Sequence, residues 1–534
     1  MHKDLYTYQL SKIELSLKEK VGQLFMPAVF INDTEEEVQQ MEDLIQKHCI
    51  GSICFFHSRA SAATNFEGKK KVVYNEKSYD RLKELISRYQ KAAKAPLLIA
   101  IDAEWGLAMR IENTPQYPYA ITLGALTDKE SLIEEVGFHI GVDCTKAGIH
   151  WNLSPVVDIN NNPLNPVIGY RSFGDDKNKV TKKAEAFIKG MNHTGVLNSI
   201  KHFPGHGDTA TDSHLGLPII DKSLDELKKT ELHPFQELIK NGVDSVMVGH
   251  LSLPQIDSEQ PSTTSFKIVT ELLRQQLGFN GVIISDALNM HAVSRKYPQK
   301  GKLEEAAFKA GMDVLCFSEN VEEGIESILS WASEHRIQES FERIWLLKEK
   351  TFMKKKIEGI VPSKSHSELN KLVAEQSLTE LYGNPTKAQL MKTSKFINLM
   401  FGNPSESIFS SKIQEEFGAE SLELAKDLTT LEKKLEETQN IALSIFPPSI
   451  KPKDLFGFDP KQLEYIKELI ATKNVLIYVF GNPFALDVLG LNPSSNAVVV
   501  YQDFPVFQEA AFNHFKGVLK AKGKLPVQLK TFRI

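Results

Sequence analysis

The chain has 534 residues, of which 42% are hydrophobic and 25% are charged, and its formal net charge at pH 7 is −5. This length exceeds one ordinary hydrophobic core, so two or three domains are expected. Without an excess of basic residues a nucleic-acid partner is disfavoured. No apolar run is long enough to span a bilayer. These totals predict a globular protein of more than one domain.

The four cysteines and the first residues of the chain bear on the compartment. Cys49, Cys54, Cys144 and Cys316 have no CxxC spacing, so we expect reduced thiols and a reducing compartment. The first twenty residues contain no apolar segment typical of a signal peptide. The sequence therefore predicts a cytoplasmic protein, with a periplasmic location as the alternative if a signal peptide has been removed.

The first two thirds of the chain alternate apolar runs with helical patterns. Runs that are apolar throughout are typical of parallel strands buried on both faces. Helical spacing that ends in Gly occurs between them, as in 223–242 and 267–281. Eight such strand–helix units predict a (β/α)8 TIM-like barrel over residues 1–355. The eight predicted strands are 21–27, 50–56, 96–102, 149–155, 197–203, 244–250, 281–287 and 312–318.

Composition changes near residue 360. All four tryptophans and thirteen of the fifteen histidines precede this point. We expect residues 356–370 to be a linker and residues 371–534 to form a smaller α/β sandwich domain. That domain is poor in catalytic residue types, so a structural or rim-shaping role is predicted. Its predicted strands are 395–402, 440–446, 474–481 and 496–503.

Polar residues at the carboxyl ends of the predicted strands are the first candidates for chemistry, because barrel enzymes place their active sites there. Asp102, Lys201 with His202, His250 and Asp286 occupy such positions. A buried strand that finishes on a carboxylate is a strong signal for a catalytic group. On position alone, however, Asp286 fits a helix N-cap equally well.

The stretch "KHFPGHGDTATDSHLGLP", residues 201–218, is rich in histidine and aspartate. Such residues suit zinc or iron, but the spacing lies on a loop and not on one helical face, so a metal site is disfavoured. Asp212 stands two positions before His214, close enough to hold the imidazole in one tautomer. We therefore interpret His214 as a general acid/base and Asp286 as its partner nucleophile. His206 and Asp208 are interpreted as structural.

Five motifs in order resemble glycoside hydrolase family 3, and most closely its bacterial β-N-acetylglucosaminidases of the NagZ type. They are "LSLKEKVGQLFM" (15–26), "NNNPLNPVIGYRSFG" (160–174), "KHFPGHGDTATDSH" (201–214), "GVIISDAL" (281–288) and "AFKAGMDVLCFS" (307–318). The resemblance implies a retaining enzyme, and we expect no metal or cofactor. It also implies that Asp286 forms a covalent glycosyl intermediate and that the triplet containing Asp212 and His214 supplies the acid/base. This differs from the usual carboxylate pair.

The same resemblance implies which residues hold the sugar in the −1 site: Asp102, Arg110, Arg171, Lys201 and His202. The chain departs from the family where many relatives have Asp-x-Glu-Gly-Gly, because Trp105 replaces a glycine. Trp105 either stacks on a sugar ring or fills the barrel mouth. An additional polar stretch, 58–80, is expected to lengthen the rim.

The substrate implied by the resemblance is a terminal β-linked N-acetylglucosamine, most often on muropeptides during peptidoglycan recycling. The expected partners are a small carbohydrate or muropeptide and no nucleic acid, and the expected state is a monomer or weak dimer. Alternatives are a β-glucosidase or N-acetylglucosamine phosphorylase of the same family, and a metal-dependent barrel hydrolase. A non-catalytic sugar-binding protein is disfavoured because the nucleophile and the Asp–His pair are both intact.

Overall fold

The computed structural model describes residues 5–59, 74–209, 216–353, 361–402, 407–424 and 429–532. The chain forms two compact units. The first comprises residues 1–117, 133–159 and 180–363, and the second comprises residues 118–132, 160–179 and 364–534. Two segments that the sequence analysis includes in residues 1–355, namely 118–132 and 160–179, thus group with the C-terminal residues.

The first unit is built on short parallel strands whose residues are almost all buried, as expected for strands covered on both faces. Pro27 interrupts the first strand position, so two short strands occupy it. The strands are β1 (Phe25–Met26), β2 (Ala28–Phe30), β3 (Ser52–Phe56), β4 (Leu98–Ile101), β5 (Trp151–Asn152), β6 (Ser199–Phe203), β7 (Ser245–Val248), β8 (Val282–Ser285) and β9 (Leu315–Cys316).

Parallel pairing continues from strand to strand in this unit. Two sheets have the orders β2-β3-β4-β5 and β6-β7-β8, and β1 pairs with β9. The backbone N–H of Leu197 donates to His150 O (2.9 Å) between β5 and β6. The N–H of Ser285 donates to Val314 O (3.0 Å) between β8 and β9. The predicted TIM-like barrel is confirmed, and each predicted strand contains a strand of the structure.

Helices separate the strands, and several begin with a capping box in which a Ser or Thr and the Glu three residues later satisfy free N–H groups. The segment 223–242 forms two helices and not one, because the ring of Pro234 clashes with the carbonyl four residues earlier. The helix Lys267–Gln276 has the wider π spacing. The α-helices up to residue 353 are α1 (Tyr8–Glu14), α2 (Leu17–Gly22), α3 (Glu35–His48), α4 (Ser78–Ala92), α5 (Ala120–Gly124), α6 (Glu130–Ala147), α7 (Lys177–Asn192), α8 (Leu224–Lys229), α9 (Leu232–Lys240), α10 (His291–Ser294), α11 (Lys302–Ala310), α12 (Val321–Trp331) and α13 (Glu334–Phe352).

The second unit contains a six-stranded sheet in the order β10-β15-β14-β13-β11-β12, parallel except for β10. Its apolar core includes Ile121 of α5, and the rings of Tyr119 and Tyr170 meet edge to face at 4.9 Å. The strands are β10 (Thr379–Tyr382), β11 (Ile397–Gly402), β12 (Ser421–Glu423), β13 (Asn440–Phe446), β14 (Asn474–Val479) and β15 (Asn496–Val499). The helices are α14 (His366–Ser377), α15 (Pro385–Thr393), α16 (Ile408–Phe417), α17 (Thr429–Glu436), α18 (Pro460–Thr472) and α19 (Pro505–Phe515). Within the described ranges, no helix has both the length and the apolar character needed to cross a membrane.

Candidate active site

Asp286 lies directly after β8, at the carboxyl end of the barrel. Its backbone N–H donates to Val248 O (2.9 Å), and the Ala287 N–H donates to its Oδ1 (2.8 Å). Burial opposes ionisation of this carboxyl, but the charges of His202, His250 and Lys201 and the hydrogen bond from the Ala287 N–H together outweigh it and lower the pKa to about 2. Asp286 is therefore a carboxylate at any ordinary pH, the form that its predicted role as nucleophile requires.

A cluster of buried ion pairs spans the ends of β4 and β6. Lys201 Nζ lies 2.8 Å from both Asp102 Oδ1 and Glu104 Oε1, and the lysine side chain is only 2% exposed. Arg110 Nη2 donates to the other oxygen of Asp102 (3.0 Å), and its guanidinium lies over the ring of Phe56. Burial opposes ionisation of Asp102, yet the Lys201 and Arg110 cations hold its pKa below the usual value. The cluster presents fixed donors and acceptors of the kind that orient a neutral sugar.

His202 and His206 are both buried beside the carboxylate of Asp158, which follows β5. His202 Nδ1 lies 2.8 Å from Asp158 Oδ2, and the two imidazole rings meet edge to face at 5.9 Å. Burial, together with the charge of His202, lowers the pKa of His206 to about 4. His206 is therefore neutral at physiological pH.

His250 lies two residues after β7 and is fully buried. Its Nε2 lies 2.9 Å from the carbonyl oxygen of Ala287, the residue after Asp286. Its Nδ1 lies 2.5 Å from Thr263 Oγ1. The imidazole thus connects β7 to the backbone that carries Asp286.

The eight predicted site residues fall into three groups. Five lie in the first unit: Asp102 and Arg110 follow β4, Lys201 and His202 lie within the second half of β6, and Asp286 follows β8. Arg171 lies in the second unit, in the 3-10 helix Gly169–Arg171, where its Nη1 donates to Val167 O (3.4 Å). Asp212 and His214 lie outside the described residues, as do residues 60–73 of the additional stretch.

Sequence reasoning assigned no role to three residues of this site: Glu104, Asp158 and His250. Glu104 is the acidic residue of the Asp-x-Glu motif, and Asp158 shares with Asp286 the signal of a carboxylate that follows an apolar run. His250 was identified as the end of a strand, but its contact with Ala287 requires the fold. Among the described residues, no group of three or more His, Cys, Asp or Glu side chains is placed to hold a metal ion.

A family comparison agrees with this geometry. Residues 16–347 match the model of the glycosyl hydrolase family 3 N-terminal domain. The chain belongs to glycosyl hydrolase family 3. The predictions of this family and of a glycoside hydrolase are confirmed, and the matched residues of this family 3 chain include all eight predicted site positions.

Two curated proteins and one solved structure illustrate the family 3 relationship. A protein named beta-hexosaminidase from Tolumonas auensis is 36% identical over 256 residues, covering 47% of this chain and 75% of that protein. Beta-hexosaminidase A of Pseudoalteromonas piscicida is 34% identical over 292 residues, 52% of this chain but only 47% of that protein. The solved structure is a glycoside hydrolase family 3 β-N-acetylglucosaminidase from Paenibacillus sp. FPU-7, with 27% identity and a TM-score of 0.78 over 97% of this chain and 100% of that one.

Proposed function

We propose that this family 3 chain is a retaining exo-β-N-acetylglucosaminidase that removes terminal β-linked N-acetylglucosamine. The observation that carries the proposal is Asp286, held ionised after β8, together with the Lys201–Asp102–Arg110 cluster of β4, β6 and the segment after β4. The relatives named beta-hexosaminidase support the choice of sugar. A muropeptide released during peptidoglycan recycling is the proposed natural substrate.

The proposed reaction has two steps with inverted roles for one imidazole. In the first, an oxygen of Asp286 attacks the anomeric carbon, the glycosidic C–O bond breaks, and His214 as imidazolium gives its proton to the departing oxygen. In the second, neutral His214 takes a proton from water, whose oxygen attacks the anomeric carbon and releases Asp286 as carboxylate. Asp212 orients His214 and favours its imidazolium form.

The remaining residues are proposed to bind substrate or shape the site. Lys201, His202, Asp102 and Arg110 hold the hydroxyls of the sugar in the −1 site, and Arg171 lies near its acetamido group. Residues 371–534 are proposed to have a structural or rim-shaping role. All four cysteines are free and buried, which supports a reducing compartment such as the cytoplasm.

The decisive assay compares 4-nitrophenyl β-N-acetylglucosaminide with the corresponding β-glucoside, each with and without EDTA and with and without phosphate. We expect faster turnover of the N-acetylglucosaminide, unchanged by either addition. Preference for the glucoside would indicate a β-glucosidase, a phosphate requirement would indicate a phosphorylase, and loss of activity with EDTA would indicate a metal-dependent hydrolase.

Two variants test the roles of the reacting groups. Asp286→Asn should abolish turnover while the melting temperature shows an intact fold. His214→Ala should slow substrates with poor leaving groups strongly and spare those whose leaving group needs no proton. His193→Ala, a change at an exposed histidine paired with Glu134, is the matched control and should leave turnover unchanged. Equal slowing of all leaving groups by His214→Ala would contradict the acid assignment.

A further inference from the structure

One buried carboxylate, that of Asp158, collects hydrogen bonds from both histidines of the loop after β6. It lies three residues beyond the cis-linked Pro155 and is 1% exposed. Its two oxygens accept from the backbone N–H of His202, each at 3.2 Å, and Oδ1 also accepts from the N–H of His206 at 2.7 Å. With the His202 imidazole at 2.8 Å, this carboxylate has four donor contacts, and its side chain is fully buried. Such full pairing is what makes a buried charge tolerable.

The contact with the ring fixes the tautomer of His202. Burial raises the pKa of Asp158, but the neighbouring histidines and the hydrogen bonds that they donate together outweigh burial and hold this pKa below its usual value. Asp158 is therefore an anion that only accepts hydrogen bonds. His202 Nδ1 must therefore carry a proton, and Nε2 is the nitrogen that Asp158 leaves to other partners. The ring is confined on another side as well: a Cβ at Gly249, just after β7, would lie 3.0 Å from the Cβ of His202.

The contact with the His206 amide fixes the loop that follows. Gly207 packs so closely on the backbone of Ile159 that a Cβ there would lie 1.6 Å from the Ile159 carbonyl oxygen. Thr209 Oγ1 donates to His206 O (3.1 Å), which closes the turn. Residues 158–159 therefore support the backbone of residues 202–209 along its length.

We propose that Asp158 is a positioning residue, which acts through the ring of His202 and the amide of His206 to hold the sugar-binding end of β6 and its loop in one arrangement. The proposal rests on the proposed function, because His202 is taken there as a sugar ligand. It adds a residue that touches no substrate yet determines how His202 is presented. Without this carboxylate His202 is still present, but its ring loses the acceptor that keeps the proton on Nδ1 and its backbone N–H loses an acceptor.

The test is Asp158→Asn, measured against a matched control variant at the opposite end of β6. An amide has one acceptor oxygen, so it cannot receive all the donors that the carboxylate receives. Asp244 is also buried and accepts from a backbone N–H next to β6, that of Asn198 (3.2 Å), but at the amino end of the barrel. Asp244→Asn therefore measures how much activity is lost when a buried carboxylate next to β6, but distant from the candidate site, is replaced by an amide.

We expect Asp158→Asn to lower kcat/KM by roughly 100-fold. Part of this loss should be a higher KM. Partial misfolding would lower the apparent kcat but leave KM unchanged, so a change in KM separates the two explanations. The kcat/KM of Asp244→Asn should stay within about twofold of the wild-type value when each protein is assayed at the same interval below its own melting temperature. In a double-mutant cycle, Asp158→Asn should add little to His202→Gln, because one acts through the other. A kcat/KM for Asp158→Asn within threefold of the wild type, or full additivity with His202→Gln, would overturn the proposal.

Hydrogen exchange of the peptide that contains residues 199–209 gives a readout that needs no activity. Exchange at this peptide should rise in Asp158→Asn and not in Asp244→Asn, because only the first replaces a carboxylate oxygen that accepts from this peptide with an NH2 group that cannot accept. If the wild type hydrolyses no N-acetylglucosaminide, the proposed function fails, and this exchange measurement alone decides the role of Asp158. Unchanged exchange in Asp158→Asn would refute that role.

Discussion

Lys201→Met should destabilise the barrel in a strongly pH-dependent way. The buried ammonium lies 2.8 Å from an oxygen of Asp102 and 2.8 Å from an oxygen of Glu104, so those oxygens are no more than 5.6 Å apart. At an effective dielectric constant of about 20, two negative charges at that separation repel by about 3 kcal/mol. This agrees with the 3–5 kcal/mol typical when one partner of a buried ion pair is removed.

The pH dependence follows from the charges that remain. Without its nearest cation Asp102 has a higher pKa in the folded variant, so the folded variant binds a proton that the unfolded chain does not bind. Its stability deficit at pH 8 should therefore shrink as the pH falls to 5.5. Urea unfolding followed by tryptophan fluorescence measures this, because all four tryptophans lie in the first unit.

Lys189→Met is the control for this measurement, because Lys189 is 63% exposed and pairs with Glu134 at the surface. Its effect should be below about 1 kcal/mol and equal at both pH values. A deficit for Lys201→Met below 1 kcal/mol, or one that is the same at pH 5.5 and pH 8, would refute the reasoning.

Three further predictions concern the same end of the barrel. The folded state holds the pKa of His206 at about 4, below the ordinary value of 6.5. The unfolded chain therefore binds a proton at this residue more readily, and the free energy of unfolding falls by about 3 kcal/mol as the pH drops from 6.5 to 4. His206→Gln should make the urea midpoint less dependent on pH over that range, and equally steep profiles for the wild type and the variant would contradict this. Gly207→Ala should abolish activity and lower the melting temperature because of the Ile159 carbonyl, whereas Gly195→Asn, at φ +78 with open space around it, should be tolerated. The pKa of Asp286 is about 2. The fall of kcat/KM at low pH should therefore be centred above pH 3 and reflect protonation of a group other than Asp286. A fall centred near pH 2 would contradict this prediction.

The central strands could be predicted from sequence because burial on both faces makes them apolar throughout. Edge strands do not carry that signal. In the second unit the four predicted strands are the central β11, β13, β14 and β15, whereas the two edges, β10 and β12, were missed. β12 has three partly exposed or exposed residues, and β10 alternates buried with exposed positions, as edge strands commonly do.

The site was predictable where one residue carries its own signal. Asp102 and Asp286 end apolar runs and could be identified in that way. Convergence of distant residues could not be predicted from spacing, since Lys201 and Asp102 are 99 positions apart. For Asp158, Pro155 breaks the run three positions earlier, which hides the carboxylate from the strand-end criterion.

The pairing of β9 with β1 has a consequence for folding during synthesis on the ribosome. Phe25 pairs with Leu315, so the first strand waits for a partner encoded 290 codons later. At 5–20 residues per second, translation of that interval takes roughly 15–60 s. The groups proposed to grip the sugar leave the ribosome well before Asp286 and the strand that completes its surroundings. If Asp286 is the nucleophile as proposed, a nascent chain cannot hydrolyse substrate until almost the whole barrel has been made.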